Sequence, residues 1–454
     1  MMVLRRLLFW LFRLFSGMRY HAPRRFTRTG LAVLGALVAT GLASVDISGS
    51  LSYQAFMLLL CLLGTSWACA GRFRARFTAQ RLLPRFGTVG VPLSYRLSLR
   101  NDTRSLQQGL VLLENVADPR PGFVEFVALQ QAEEKRMRSF SFRRKAQVWS
   151  FAKVKTKEAA LPPVGPGRPT DVQMELTPLQ RGHISFKGLT VARVDPLGLI
   201  RAFARISLPQ SLLVLPRRYP LPPIPLPGLR QYQPGGVALA ASVGESEEFV
   251  ALRDYRRGDP PRRIHWRSWA RTGRPIVKEY QDEFFVRYAL ILDTFVAHPQ
   301  SQVFEEAVSV AASFACTIQT QESLLDLLFV GPEAYCFTSG RGLAHTDQML
   351  EILASVRVCR EKPFADLEAL VINHISAVSG CICVLLAWDE PRRQFVRKLK
   401  MLGIPMMVLV ITEAAGEVAD SGPGEEEPIH PHTLQVGSIA EGLARLGKES
   451  SAPA

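Results

Sequence analysis

The chain changes its rhythm of apolar and polar positions three times. It begins with two nearly unbroken apolar runs, Leu31 to Ile47 and Leu51 to Ala70, separated by the short polar link "DISGS". A helix rises ~1.5 Å per residue and a hydrocarbon core is ~30 Å thick. The runs therefore predict a two-helix transmembrane hairpin over residues 31–70, the first run being near the lower length limit.

From Phe86 to Leu215 the period shortens to two. In "VGVPLSYRLSLRND" Leu93, Tyr95, Leu97 and Leu99 alternate with other positions and stop at Asn101-Asp102, as a half-buried strand does. "GLVLLENV", "GFVEFVAL", "RGHISF" and "SLLVLP" read the same way, so residues 71–215 are predicted to form a β-rich, sandwich-like domain of about seven strands. Within it "DPLGL", Asp195 to Leu199, reads as a turn, with Pro196 fixing φ and Gly198 free to take positive φ. Gln131 to Pro169 reads as a charged hairpin and loop. "PRRYPLPPIPLPGLRQYQPGG" lacks too many N–H groups for a ladder, so residues 216–248 are read as a Pro/Gly-rich linker running extended along the surface.

The third change comes at "VRYALILDTF". Short apolar runs here and in "LLDLLFV", "CICVLLAW" and "IPMMVLVI" alternate with helical patterns such as Phe304 to Gln319. That texture predicts a parallel sheet covered on both faces, a Rossmann-type α/β domain over residues 286–454. Ligands of such sheets sit at the carboxyl ends of the strands, where Asp293 and Asp389 fall. "EAAGEVADSGPGEEEP", Glu413 to Pro428, reads as a solvated acidic loop.

Charge refines the membrane end. The chain has 454 residues and a formal net charge of +15. Seven arginines, Arg5 through Arg28, precede the first run; Arg72, Arg74, Arg76, Arg81 and Arg85 follow the second, and the link has no basic residue. Positive flanks at both ends predict two spans in the cell (inner) membrane, with both termini and the main domains in the cytoplasm. A cleaved signal peptide ending near "GLAS" is the competing reading, but the basic stretch after Ala70 would still hold the bulk of the chain inside. Residues 1–30 form a basic leader. In "VLRRLLFWLFRLF" the arginines gather on one side of a helical wheel, so the leader reads either as a helix lying among lipid headgroups or as a frayed cationic tail. The seven cysteines show no CxxC spacing, which supports neither a zinc site nor a disulfide scaffold.

Residues 249–285 hold the densest chemistry: "LRDYRRGDPPRRIHWRSWARTGRPIVKEYQDEFF" carries nine arginines and lysines, five acids and two tryptophans. "GDPP" predicts a turn, and Pro260 or Pro261 could open a helix that Thr272-Gly273 ends. Trp266, Trp269 and Ala270 share one face, predicted to point inward, with Arg263, Arg267, Arg271 and Arg274 outward. Three chemistries compete. A metal-dependent phosphodiesterase could draw on Asp254, Asp259, His265, Lys278 and Glu279, although the spacing fits no strong template. The arginines could bind phosphate or nucleic acid. In the third reading Arg253, Arg262 and Arg271 pair with Asp254, Asp259, Asp282 or Glu283, and the segment pins domains together or docks a partner. The third is preferred; nucleic acid is disfavoured, and no nucleophile–base set argues for an enzyme.

The same stretch resembles the signature of a bacterial family known as domain of unknown function fifty-eight, through Arg253, Tyr255, Gly258, Asp259, Arg262, Ile264, His265, Trp266, Ala270, Arg271 and Lys278. The apolar hairpin, "LRND", "RGHISF", "DPLGL" and an aspartate-ended strand add to the resemblance. It implies that residues 286–454 are a von Willebrand factor A-like domain and that the partner is a MoxR-type AAA+ ATPase. It also implies a comparison with the adhesion-type A-domain Mg²⁺ site, D-x-S-x-S plus a threonine and a second aspartate. Here Asp293 opens that motif and Asp389 would be the second aspartate, but Phe295 and Ala297 supply no hydroxyl. A degenerate Mg²⁺ site is one expectation; the other is that Asp293 caps a helix or binds loop amides. The resemblance leaves any small-molecule ligand unspecified. The expected function is a membrane-anchored scaffold for the ATPase, the alternative a phosphodiesterase or nucleic-acid-binding protein.

Overall fold

The computed structural model describes residues 2–43, 51–118, 120–127, 130, 152–222, 249–259, 261–280, 287–296, 301–320, 324–339, 343–375, 378–413 and 431–449. They divide into two compact units, Met1–Leu215 and Pro216–Ala454. The predicted link "DISGS", most of the 131–169 hairpin and loop, residues 223–248 of the linker, Asp282, Glu283, Ala297 and nearly all of the acidic loop lie outside the described residues.

The first unit opens with α1 (Met2–Arg25), α2 (Arg28–Ala43) and α3 (Leu51–Gly71). One of these, α3, is long and apolar enough to cross a membrane; α2 is apolar and shorter. The two pack where Gly41 meets the ring of Phe56, 3.2 Å from the position a Cβ would take. The β strands follow: β1 (Phe77–Leu82), β2 (Phe86–Thr88), β3 (Leu93–Asn101), β4 (Leu110–Val116), β5 (Val154–Thr156), β6 (Ala159–Ala160), β7 (Pro169–Pro178), β8 (Gly182–Val194) and β9 (Arg201–Leu215). They form two sheets, ordered β1-β3-β7-β5 and β2-β9-β8-β4-β6. The alternation read in β3 buries Tyr95, Leu97 and Leu99, which meet Leu112, Phe186, Leu189 and Val214 of the other sheet in one core. Inside sits a charged pair, Arg81 and Glu114, both side chains fully buried and 2.8 Å apart. Burial raises the Glu114 carboxyl, against which Arg81 and the Tyr95 hydroxyl act.

One predicted strand is not a strand. Residues 123–127 of "GFVEFVAL" are helical. Helical i, i+3 spacing puts Phe123 and Phe126 on one side, where they receive Phe9 and Phe12 of α1.

In the second unit β10 (Phe249–Asp254) pairs antiparallel with β11 (Ile276–Tyr280), and α4 (Trp266–Thr272) lies between them in sequence. Then come β12 (Arg287–Leu292), α5 (Gln302–Thr320), β13 (Leu324–Val330), β14 (Ala334–Ser339), α6 (Leu343–Ser355), α7 (Ala365–His374), β15 (Gly380–Leu385), α8 (Glu390–Met401), β16 (Met406–Thr412), β17 (His432–Gln435) and α9 (Ile439–Glu449). The sheet order is β14-β13-β12-β15-β16-β17, parallel except for β14. Its central strands are buried along their whole length, which is why they read as unbroken apolar runs. Strand order reverses between β12 and β15, so the crevice beyond their carboxyl ends is where such a sheet presents side chains to a ligand. The proline-rich connector is described over residues 216–222. Its start is seated on α5, with Tyr219 buried, its amide donating to Ser313 Oγ at 2.8 Å and its hydroxyl to Glu306 Oε2 at 2.6 Å.

Candidate functional site

Two constellations in the second unit carry the residues singled out from the sequence. The first is built on the β10–β11 hairpin. Arg253 lies opposite Val277, and Leu252 opposite Lys278. The chain leaves β10 through a turn at Gly258, whose φ of 115° suits a residue without a Cβ. A 3₁₀ turn (Pro261–Arg263) leads to Ile264, bridged to Val277, and the His265 amide donates to the Ile276 carbonyl at 2.8 Å. Helix α4 ends where Gly273, left-handed at φ 69°, donates its amide to the Trp269 carbonyl.

The arginines and acids divide this loop unevenly. Arg253 clasps Asp259 with two hydrogen bonds of 2.7 Å, and the Arg256 amide adds a third at 2.8 Å. That clasp draws the Asp259 carboxyl down to about 2. It fixes the turn, since residues 253, 256 and 259 are thereby tied to one carboxylate. His265 Nδ1 and Ser268 Oγ share a hydrogen bond of 2.7 Å at the start of α4. Arg271 and Tyr255 are exposed and Lys278 is half-buried.

The tryptophans depart from expectation. Trp266 and Trp269 stack with centroids 5.2 Å apart, but Trp266 is 63 % exposed and Ala270 is exposed as well. A seven-residue helix offers only two turns, and the i, i+3 pair covers one flank of each ring with the other rather than with a core. The inward tryptophan face read from the sequence is therefore an outward aromatic platform. Among the described residues no three His, Cys, Asp or Glu side chains are placed to hold a metal, and the side chain of Glu279, one of the candidate phosphodiesterase set, lies outside what the structure describes.

The second constellation lies at the strand-order reversal. Asp293 follows β12 and is fully buried. Its Oδ1 accepts from the Phe295 amide at 2.9 Å, and its Oδ2 from the Leu386 amide at 3.0 Å and from Arg392 Nε at 2.6 Å. Asp389 is the N-cap of α8, accepting from the Arg392 amide, and its Oδ2 takes Arg392 Nη1 at 2.5 Å. Arg392 Nη2 donates to the Phe295 carbonyl at 2.8 Å, and the guanidinium lies over Phe364. Burial alone would lower the Arg392 pKa; Asp293 and then Asp389 outweigh it and raise it. An open hollow of about 420 Å³, lined by Phe295, Val296, Cys359, Arg360, Lys362 and Phe364, adjoins this cluster.

Residues 251–384 match the model of a family described as protein of unknown function DUF58. The match spans less than a third of the chain, which over this stretch is similar to that family. A relative, the uncharacterized protein YeaD of Bacillus subtilis (strain 168), is 28 % identical over 191 residues, 41 % of this chain and 46 % of that protein. The chain thus aligns with less than half of that relative's length. A solution NMR structure, the CARDB domain of a Pyrococcus furiosus protein, matches at 10 % identity and a TM-score of 0.16. It covers 31 % of this chain and 94 % of the domain, and so low a score carries no argument about the fold.

The matched stretch includes the hairpin from residue 251 onward, the tryptophan platform and Asp293, while Asp389 and Arg392 lie beyond its end. The two aspartates expected to hold Mg²⁺ are indeed brought together, but around a guanidinium. A divalent ion of this kind needs about six oxygen donors at ~2.1 Å. Here both Asp293 oxygens are committed to amides and Arg392, no hydroxyl stands at residue 295, and the guanidinium would repel a second cation. The residues present do not fit Mg²⁺. Arg392 is the residue that sequence reasoning missed. Its signal was faint: an arginine three residues after a helix-capping aspartate, able to reach back over the helix N-terminus.

Proposed function

We propose that this protein is a membrane-anchored cytoplasmic adaptor whose DUF58-like segment docks a protein partner, the MoxR-type AAA+ ATPase to which its signature points, with no catalysis of its own. In this reading α2 and α3 are two spans of the inner membrane, and residues 286–454 are a von Willebrand A-like unit whose cation position has been taken over by Arg392. The observation that carries the reading is the exposed Trp266, stacked on Trp269 and flanked by exposed Arg267 and Arg271. Trp and Arg are the side chains most enriched where partner proteins are gripped, because they bury large areas and keep a polar or charged handle. The Arg253–Asp259 clasp supports it from behind by holding the turn that presents α4.

Co-purification from detergent tests the proposal. The wild-type chain is expected to retain the ATPase. Trp266→Ala is expected to weaken the complex by about 30-fold or more, the loss of a ~2 kcal/mol anchor. Retrieval of no ATPase by the wild type, or equal retrieval by Trp266→Ala, rejects docking through this platform.

A further inference from the structure

We propose that α1 lies in the plane of the membrane surface and binds anionic phospholipid through the face it turns away from the protein. The proposal rests on the membrane-anchored reading above and adds a second, lateral lipid contact to it.

Over residues 5–18 helix α1 is held by the side that carries Phe9, Phe12 and Ser16, and at its C-terminal end Arg24 reaches Asn115 and the Glu114 carbonyl while Arg25 lies over Trp67 and Phe203. Phe9 packs edge-on against Phe123 at 5.4 Å and tilted against Phe126 at 5.4 Å, and Phe12 stacks on Phe126 at 5.1 Å. Arg120 Nη1 donates to the Arg13 carbonyl at 3.2 Å and to Ser16 Oγ at 3.4 Å. Phe9, Phe12 and Ser16 share one side of the helix at 3.6 residues per turn. Opposite them Leu7, Leu8, Trp10, Leu14, Phe15 and Met18 spread over roughly 160° of the wheel, and all six are exposed, Trp10, Phe15 and Met18 by 60 % or more. A water-facing side would not be built this way, and the helix is held by its other side, so the apolar arc is not a core waiting to be closed by the same sheets.

Position along the chain identifies the occupant. Only Phe26 and Thr27 separate α1 from α2, so α1 ends where the apolar helix begins. That place is pinned: the Thr27 amide donates to the Leu199 carbonyl at 3.0 Å, and the Thr29 hydroxyl to the Gly198 carbonyl at 2.9 Å. The other end of the apolar pair returns to the same loop through Ser66, whose hydroxyl donates to Asp195 Oδ2 at 2.8 Å. If α2 and α3 enter the bilayer there, the C-terminal end of α1 is at the level of the headgroups. Arg6 and Arg13 border the apolar arc on the Trp10 side, which suits an apolar strip sunk between acyl chains with cations among phosphates.

The test uses the full chain reconstituted into vesicles containing phosphatidylglycerol. Flotation is read first, and the emission of Trp10 is then obtained on floated vesicles as the difference between the wild type and Trp10→Phe. The expected result is quenching of that difference by lipids brominated near the headgroup, weaker quenching by lipids brominated near the chain ends, and protection from aqueous iodide. In Leu14→Glu/Phe15→Glu the quenching by bromolipid should be lost while flotation persists. A protein that does not float overturns the anchored reading and this one with it. A protein that floats with Trp10 open to iodide, or quenched most strongly at the chain ends, overturns this one alone. Equal quenching in vesicles of phosphatidylcholine only overturns the assignment to anionic lipid.

Discussion

Of the arginine–aspartate pairs described in the second unit, two differ most in their surroundings, which give them opposite work. Arg253 and Asp259 meet on a turn where both side chains keep contact with water, 33 % and 15 % exposed. Arg392 and Asp293 meet with 8 % and 0 % exposure, beneath the crevice of the sheet. At the surface, water already solvates each charge, so the clasp gains little stability and mostly fixes geometry. In the interior neither ion could stand alone, so each makes the other tolerable and the pair holds two strand ends and a helix start together. One cluster fixes an exposed turn; the other completes the sheet.

The largest test of that contrast is Arg392→Met. It strands the Asp293 carboxylate without water, and a cost of about 3–5 kcal/mol is expected in chemical denaturation. Adding Asp293→Asn removes the stranded charge and should recover part of the loss. A cost under about 1 kcal/mol for the single change would mean that the cluster is as well hydrated as the surface pair, and the comparison would collapse. A smaller effect is expected from Asp259→Asn, a minor fraction of the Arg392→Met loss. Because the clasp holds the folded carboxyl near 2, below an unfolded value of ~3.9, its contribution is present above about pH 4 and disappears as pH falls through 2. The difference in unfolding midpoint between wild type and Asp259→Asn should therefore close over that window; a difference that widened with acid would reverse the assignment. The smallest expected effect is none at all. Millimolar Mg²⁺ or a chelator should leave the melting temperature of the wild type unmoved, since Arg392 already fills the place of a cation. A stabilisation by Mg²⁺ that Asp293→Asn abolishes would restore the metal reading.

The same contrast shows where the sequence was readable. Leu93, Tyr95, Leu97 and Leu99 announce a strand because period two is a local signal, and "CICVLLAW" announces a buried strand because both faces are apolar. The short helix of the charged signature, though not the strand β10 before it, could be read from its turn and capping residues. The facing of Trp266 could not, because wheel spacing says which residues share a side but not whether anything lies against it. Arg392 was overlooked for a different reason: its importance depends on Asp293, 99 residues away, which no window of periodicity spans. "GFVEFVAL" misled because Phe123 and Phe126 answer to Phe9 and Phe12, a contact that the local pattern cannot report.

The turn read at "DPLGL" is the feature with the widest consequence. Asp195 accepts from the amides of Leu197, Leu199 and Ile200 and from the Ser66 hydroxyl. Burial would raise its carboxyl, but these four donors outweigh that and keep it below its ordinary value. Gly30 fits against the Leu199 carbonyl so closely that a Cβ would stand 2.0 Å from its oxygen. A foreign pair of apolar helices spliced in front of residue 71 would bring neither the notch at position 30 nor the hydroxyl at position 66. The helix pair is thus a keyed part rather than a loose appendage, and a tilt of the helices would be handed to the β sheets as a rigid lever hands on a turn.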